Sequence, residues 1–267
     1  FRYEAEIWYR LNHPNVLRLY GLYLDGPALY MVSPWQQNGP LSLYIKANPT
    51  VNKLTLLRQV ADALAYLHSN DPVIIHGDIK GQNVLISDNG SAILCDFGLS
   101  MILSEIAGVS ATPSGVQDGG STRYMAPELM QGDHSKTCLS DTYAYAMLMI
   151  EVFSGSHPFP NLRYDASLVA AIMTGQRPAC PFDLRGEDQN RNARLWRLIQ
   201  ICWHANPQFR PVMSGVNDLM QEIIGDDEMR QCVLKDFVIL GRIDLGDYLH
   251  WVAKGKFLWQ YISKVSY

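Results

Sequence analysis

An excess of charge of one sign, long apolar runs and paired cysteines are all missing from this 267-residue sequence. Its net charge of −4, with 18% charged residues, leaves no basic surplus and argues against binding nucleic acid or an anionic membrane. The five cysteines (Cys95, Cys138, Cys180, Cys202 and Cys232) are scattered, odd in number and form no C-x-x-C pair. That spacing excludes a zinc ribbon or a disulfide framework and points to reduced thiols in a reducing, cytoplasmic compartment. The longest apolar stretch, "YAYAMLMIEVF" at 143–153, is too short to cross a bilayer and carries Glu151, so no membrane span is expected. No secretory leader, internal repeat or low-complexity tract is visible. The sequence opens on Phe1 rather than Met, which suggests an excerpt from something longer.

What is present is patterned in two halves. Residues 1–11 read as a helix stopped by "NHP" at 12–14. Two strands are expected over 16–24 and 28–33, joined by "DGP". The period then changes. In "KLTLLRQVADALAYLHS" (53–69), Leu54, Leu57, Val60, Ala61, Leu64 and Leu67 recur every three or four residues and make one apolar helical stripe. Short strands are expected at 83–87 and 91–96 around the turn "DNG". Residues 96–120 are small and polar and read as a mobile loop. Helices follow at 139–154, 166–174, 193–203 and 214–224. Strands early and helices late imply an α+β protein.

The chemistry concentrates in "IHGDIKGQNVLI" at 75–86. Asp78 and Asn83 lie on one loop, and Asp96 heads "DFG" at the end of the following hairpin, so two carboxylates and an amide can meet. An oxygen set of this kind suits Mg²⁺, which keeps waters and shares its sphere with substrate phosphates. A carboxylate left over, Asp78, can orient a hydroxyl and accept its proton, while Lys80 neutralises charge on a moving phosphoryl group.

"HGDIKGQN", "DFG" and "APE" (126–128) stand in the order and spacing of the protein-kinase signature set. From residue 1 to about 224 the chain resembles a eukaryotic protein kinase catalytic domain of the tyrosine-kinase-like group, most like its fungal members. The resemblance implies a bilobal fold with a truncated N-lobe (1–36, helix C plus two strands, with the hinge) and a mainly helical C-lobe (37–224), followed by a tail of unknown role (225–267). It implies ATP and Mg²⁺ as cofactors and a protein with Ser/Thr hydroxyls as substrate. Asp78 resembles the catalytic base and Lys80 its companion in Ser/Thr enzymes, while Asn83 and Asp96 resemble the Mg²⁺ ligands. Glu4 resembles the helix-C glutamate, Ser33 the gatekeeper, Pro34–Gln36 the adenine-facing hinge, and Leu85 the residue beneath the adenine. Trp8, Leu19, His76 and Phe97 look like the stack that links the lobes. Asp141 resembles the buried helix residue that ties down the catalytic loop, and Arg210 the partner of Glu128. Ser121 resembles the hydroxyl that bonds to the catalytic Asp and Lys.

The sequence departs from that pattern in two places. Position 77, arginine in most relatives, is glycine, so a loop phosphate on Ser104, Ser110, Thr112, Ser114 or Thr122 cannot be read by residue 77. Only three residues precede Glu4, so the glycine-rich turn and the strand lysine of the family are not in the sequence. The expectation is a Ser/Thr kinase domain lacking the start of its N-lobe; the alternative is a non-catalytic scaffold presenting its helical lobe to a partner. Outside the signature residues, Cys95, Trp196 and Trp203 read as core.

Overall fold

The computed structural model describes residues 8–26, 28–96, 121–131, 135–185 and 188–225. Residues 8–10 are helical, the described end of the helix expected at 1–11. Strand β1 (Gly21–Asp25) pairs antiparallel with β2 (Ala28–Val32), with Tyr23 opposite Tyr30 and the turn at Asp25–Gly26. The strand expected over 16–24 therefore begins only at Gly21. The residues before it have another partner: Leu17 N–H donates to Leu94 O and Leu94 N–H to Asn15 O, each at 2.8 Å. Those backbone groups are satisfied against the second hairpin and are not available to the first. That second hairpin is β3 (Val84–Ile86) paired with β4 (Ala92–Leu94), Leu85 opposite Ile93.

Helix α1 (Leu41–Ala47) was not legible in the sequence; it is short, and Pro40 at its N-cap offers no side-chain cap. Helix α2 (Lys53–His68) matches expectation. Asn52 accepts from Thr55 N–H as its cap, and Leu57, Val60, Ala61, Leu64 and Leu67 are buried as the stripe predicted. Leu54 only leans on the core, and Leu56 is buried in addition.

The short helix α3 (Pro127–Met130) precedes α4 (Cys138–Ser154), which carries the "YAYAMLMIEV" run and is buried on every side. A helix apolar all round belongs at the centre of a domain. Its ends are fixed by a reciprocal cap between Thr137 and Ser140 and by Gly155 in the left-handed region, φ 72°. Around it pack α5 (Asp165–Met173), α6 (Gln189–Cys202) and α7 (Met213–Gly225). Each core leucine buried in this way contributes roughly 1.5–3 kcal/mol. Trp203 is buried, with the Trp196 ring edge-on at 5.2 Å, so both tryptophans serve packing. Among the described residues no helix is long and apolar enough to cross a membrane.

Candidate active site

The loop between α2 and β3 is anchored from below by Asp141 in the first turn of α4. Its Oδ2 accepts from His76 N–H and its Oδ1 from Gly77 N–H, both at 2.8 Å. His68, at the end of α2, completes the anchor with Nε2 at 2.9 Å from Asp141 Oδ2. Burial alone would discharge this imidazole, but the Asp141 carboxylate, with Cys138 beside it, outweighs burial and raises the His68 pKa to about 9. A cation therefore faces the buried carboxylate. His76 is the opposite case. Fully buried, it is held neutral by desolvation, its Nδ1 accepting from Asp78 N–H and its Nε2 lying 3.0 Å from Cys95 O. The accepting Nδ1 puts the proton on Nε2, and the imidazole acts as a strut between the loop and β4.

Above this anchor stand the residues singled out in the sequence. Lys80 Nζ is 2.9 Å from Asp78 Oδ2 and donates to Ser121 Oγ at 2.9 Å. Asn83 Nδ2 donates to both Asp78 O and Asp78 Oδ2 at 2.8 Å. Partial burial would raise the Asp78 pKa, but Lys80, through hydrogen bond and charge, and then Asn83 and Ser121 hold it below the ordinary aspartate value. Asp78 is thus an ionised acceptor, fixed in direction by three donors. Cys95 N–H donates to Asn83 O at 2.9 Å, so Asp96 is the residue that follows the backbone partner of Asn83 at this end of the β3–β4 hairpin. Asp96 is exposed and takes a left-handed backbone, φ 57°, a conformation that turns the chain sharply out of β4. Cys95 is buried, and desolvation pushes its thiol up to about 12, so it is a packing residue as expected.

The chain leaves β2 through half-buried Ser33, Pro34 and Gln36. Gln36 Nε2 donates to Pro34 O at 3.2 Å, and among the described residues the Gln36 N–H has no partner. Beyond it Asn38 Nδ2 donates to Ser87 O at 2.7 Å and Ile86 N–H to Gly39 O at 2.8 Å, while Pro40 bridges Leu85. The connection is therefore pinned to the hairpin that carries Leu85, Asn83 and Asp96. Glu4 and Phe97 lie outside the described residues, as do Ser104, Ser110, Thr112 and Ser114. Trp8 and Leu19 are buried. Thr122, read in the sequence as a modifiable hydroxyl, is buried at 4% exposure and closed to a modifying enzyme in this conformation.

Three contributors escaped the sequence reading. Glu151, the carboxylate within the apolar run 143–153 of α4, accepts on Oε2 from Gly81 N–H at 2.9 Å and from Tyr124 O–H at 2.8 Å. Its position inside an apolar run was the one available signal. Arg123 donates to three backbone carbonyls at 158–162, and nothing local marks it. His68 reads as a helix-end residue until Asp141 is brought to it. Further out, Arg210 and Glu128 form the bidentate pair that the resemblance implied, at 2.6 and 2.7 Å, with Arg210 fully buried.

A loop that presents an oriented carboxylate, a companion lysine and an amide beside an exposed Asp is the layout of a phosphoryl-transfer domain. A family model for protein tyrosine and serine/threonine kinases matches residues 1–220, and the chain belongs to this family. Among curated proteins it is similar to the dual specificity protein kinase shkA of Dictyostelium discoideum, 32% identical over 231 residues, 85% of this chain and 42% of that protein. It is 27% identical to human receptor-interacting serine/threonine-protein kinase 1, covering 80% of this chain and 33% of that protein. It is 29% identical to mitogen-activated protein kinase kinase kinase 7 of Drosophila melanogaster, covering 81% of this chain and 31% of that protein. These relatives agree with the tyrosine-kinase-like resemblance and with a Ser/Thr kinase domain. The chain spans less than half the length of each. The family works on ATP and Mg²⁺.

Proposed function

We propose that residues 1–224 form a domain that transfers the γ-phosphoryl group of ATP to a serine or threonine hydroxyl of a protein. The observation that carries this reading is the Asp78 carboxylate, ionised and aimed by Lys80, Asn83 and Ser121. Such a carboxylate orients the incoming hydroxyl and takes its proton as the P–O bond forms. Lys80, placed between Asp78 and Ser121, offsets charge on the transferring group. Lysine at position 80 with a hydroxyl at 121 favours Ser/Thr over Tyr acceptors.

The residues present fit Mg²⁺. Asn83 directs its NH₂ to Asp78, which leaves Oδ1 as its open oxygen, and Asp96 adds an exposed carboxylate beside it. Among the described residues no cluster of three or more His, Cys, Asp or Glu could hold a metal. One carboxylate and one amide is the sparse donor set that suits a cation shared with phosphates. Bound there, Mg²⁺ would neutralise the phosphate oxygens. The open Gln36 N–H, Ser33 and the carbonyl of Pro34 fit the adenine edge, with Leu85 beneath the ring. Glu4, outside the described residues, is proposed as the helix-C glutamate of the resemblance, on the cofactor side of the site.

The test is phosphotransfer from ATP to protein by the full-length protein and its Asp78→Ala variant. Transfer that disappears in the variant while melting is preserved supports the reading. A wild type that folds, binds a protein partner and transfers nothing would favour the scaffold alternative.

A further inference from the structure

The segment Ser121–Tyr124 is a single 3₁₀ turn fastened to the catalytic loop at both ends. Ser121 meets Lys80, and Tyr124 meets Glu151, which in turn holds Gly81. Between them Arg123 points the other way. Its Nη1 donates to Pro158 O at 2.9 Å and Phe159 O at 2.6 Å, and its Nη2 to Leu162 O at 2.6 Å. The turn it grips is unusual. Phe159 is a buried non-glycine residue at φ 53°, and its carbonyl also accepts from Leu162 N–H at 3.1 Å. A left-handed phenylalanine persists only where its surroundings over-determine it, and such residues cluster where geometry is put to use.

We propose that Arg123 is a positioning residue for the protein acceptor: by clamping the 158–162 turn to the Ser121–Tyr124 turn, it fixes the surface on which the acceptor chain lies relative to Asp78. This rests on the kinase reading. The acceptor hydroxyl must reach Asp78 and Lys80, and Ser121 borders both, so the acceptor backbone passes over this turn. Only a planar guanidinium with several diverging donors meets three carbonyls at once; an ammonium on a flexible stem does not. ATP is held elsewhere, by the hinge and by the β3–β4 hairpin. Arg123 therefore acts on the acceptor and not on the nucleotide.

The experiment compares wild type, Arg123→Lys and Arg123→Ala in the full-length protein. Two reactions are followed: transfer to the best acceptor found in a library of Ser- and Thr-containing peptides, and hydrolysis of ATP by water. Arg123→Ala is expected to lower kcat/KM for the peptide roughly tenfold or more. KM for ATP and the rate of hydrolysis should stay within about twofold, a change small beside the effect of misplacing a reacting group. Arg123→Lys should fall between. Loss of both reactions by one factor would show a merely structural residue and overturn the inference, as would an unchanged peptide kcat/KM. If Arg123→Ala does not fold, the same split measured on Arg123→Lys decides. A folded wild type that performs neither reaction overturns the kinase reading and this inference with it, whereas an active wild type with an unaffected variant overturns this inference alone.

Discussion

The amide of Gly81 lies directly against the carboxylate of Glu151. Its N–H donates to Oε2 at 2.9 Å, and a Cβ at position 81 would stand 2.7 Å from Oε1. Both the hydrogen bond and the clearance depend on glycine, here because of a close approach and not because of a left-handed backbone. Gly81→Ala is expected to displace Glu151 from Tyr124 and to cost about 1–3 kcal/mol in a denaturant titration. In a Glu151→Ala background the same substitution should cost less, because the overlap is gone, and a double-mutant cycle measures that difference. Strict additivity would show that the contact is not felt.

Gly77 is glycine for two reasons that an experiment can separate. It sits at φ 72°, and a Cβ there would come within 2.4 Å of Lys136 Cδ. Gly77→Arg, which installs the residue that the kinase resemblance implies here, should lower stability by roughly 1–2 kcal/mol from backbone handedness alone. Lys136 ends in a flexible chain and can move aside. Replacing it in Lys136→Ala should therefore recover only a minor part of the loss, as read from thermal melting of the two variants.

With Asp78 as the proposed base, Lys80 and Asp78 are expected to set the acid side of the activity profile. The Asp78 pKa is lowered, so its carboxylate, and with it the activity, should persist as pH falls past the ordinary aspartate value of about 3.9, as far as folding allows. Lys80→Ala removes the largest opposing charge while leaving Asp78 partly buried. The acidic limb of kcat/KM should then move to higher pH, in addition to any drop in the plateau. A limb that does not move would show that Lys80 does not control Asp78.

His68 makes stability depend on alkaline pH. Its folded pKa is raised to about 9, above the unfolded value of about 6.5. The folded state therefore binds the extra proton, so the stabilisation is complete below the unfolded value and is lost as pH rises through about 9. Denaturant midpoints measured across that window should fall for wild type and stay nearly flat for His68→Gln.

How far the sequence carried the fold depends on the range of the interaction concerned. Helix α2 was legible because its apolar stripe is local, and α4 because the eleven residues of "YAYAMLMIEVF" form a continuous apolar run too short to cross a bilayer. Strand β1 was drawn too long because "VLRLY" has strand composition in either place. Whether 15–17 pair with β2 or with β4 is decided by Leu94, more than seventy residues later. Helix α1 carries too few turns for a period to emerge.

The constellation proposed for catalysis is legible in the sequence itself. Asp78, Lys80 and Asn83 lie within six residues, and Asp96 follows a two-strand hairpin whose register is fixed by its turn, so chain connectivity alone brings them together. The supports under that constellation were decided only in three dimensions. Asp141 reaching His68, His76 and Gly77, Glu151 joining Gly81 to Tyr124, and Arg123 holding 158–162 each pair groups far apart in the chain. A residue type and a spacing state what chemistry is available. Which buried donor meets which buried acceptor is set by packing, because each of those groups must find a partner once water is excluded.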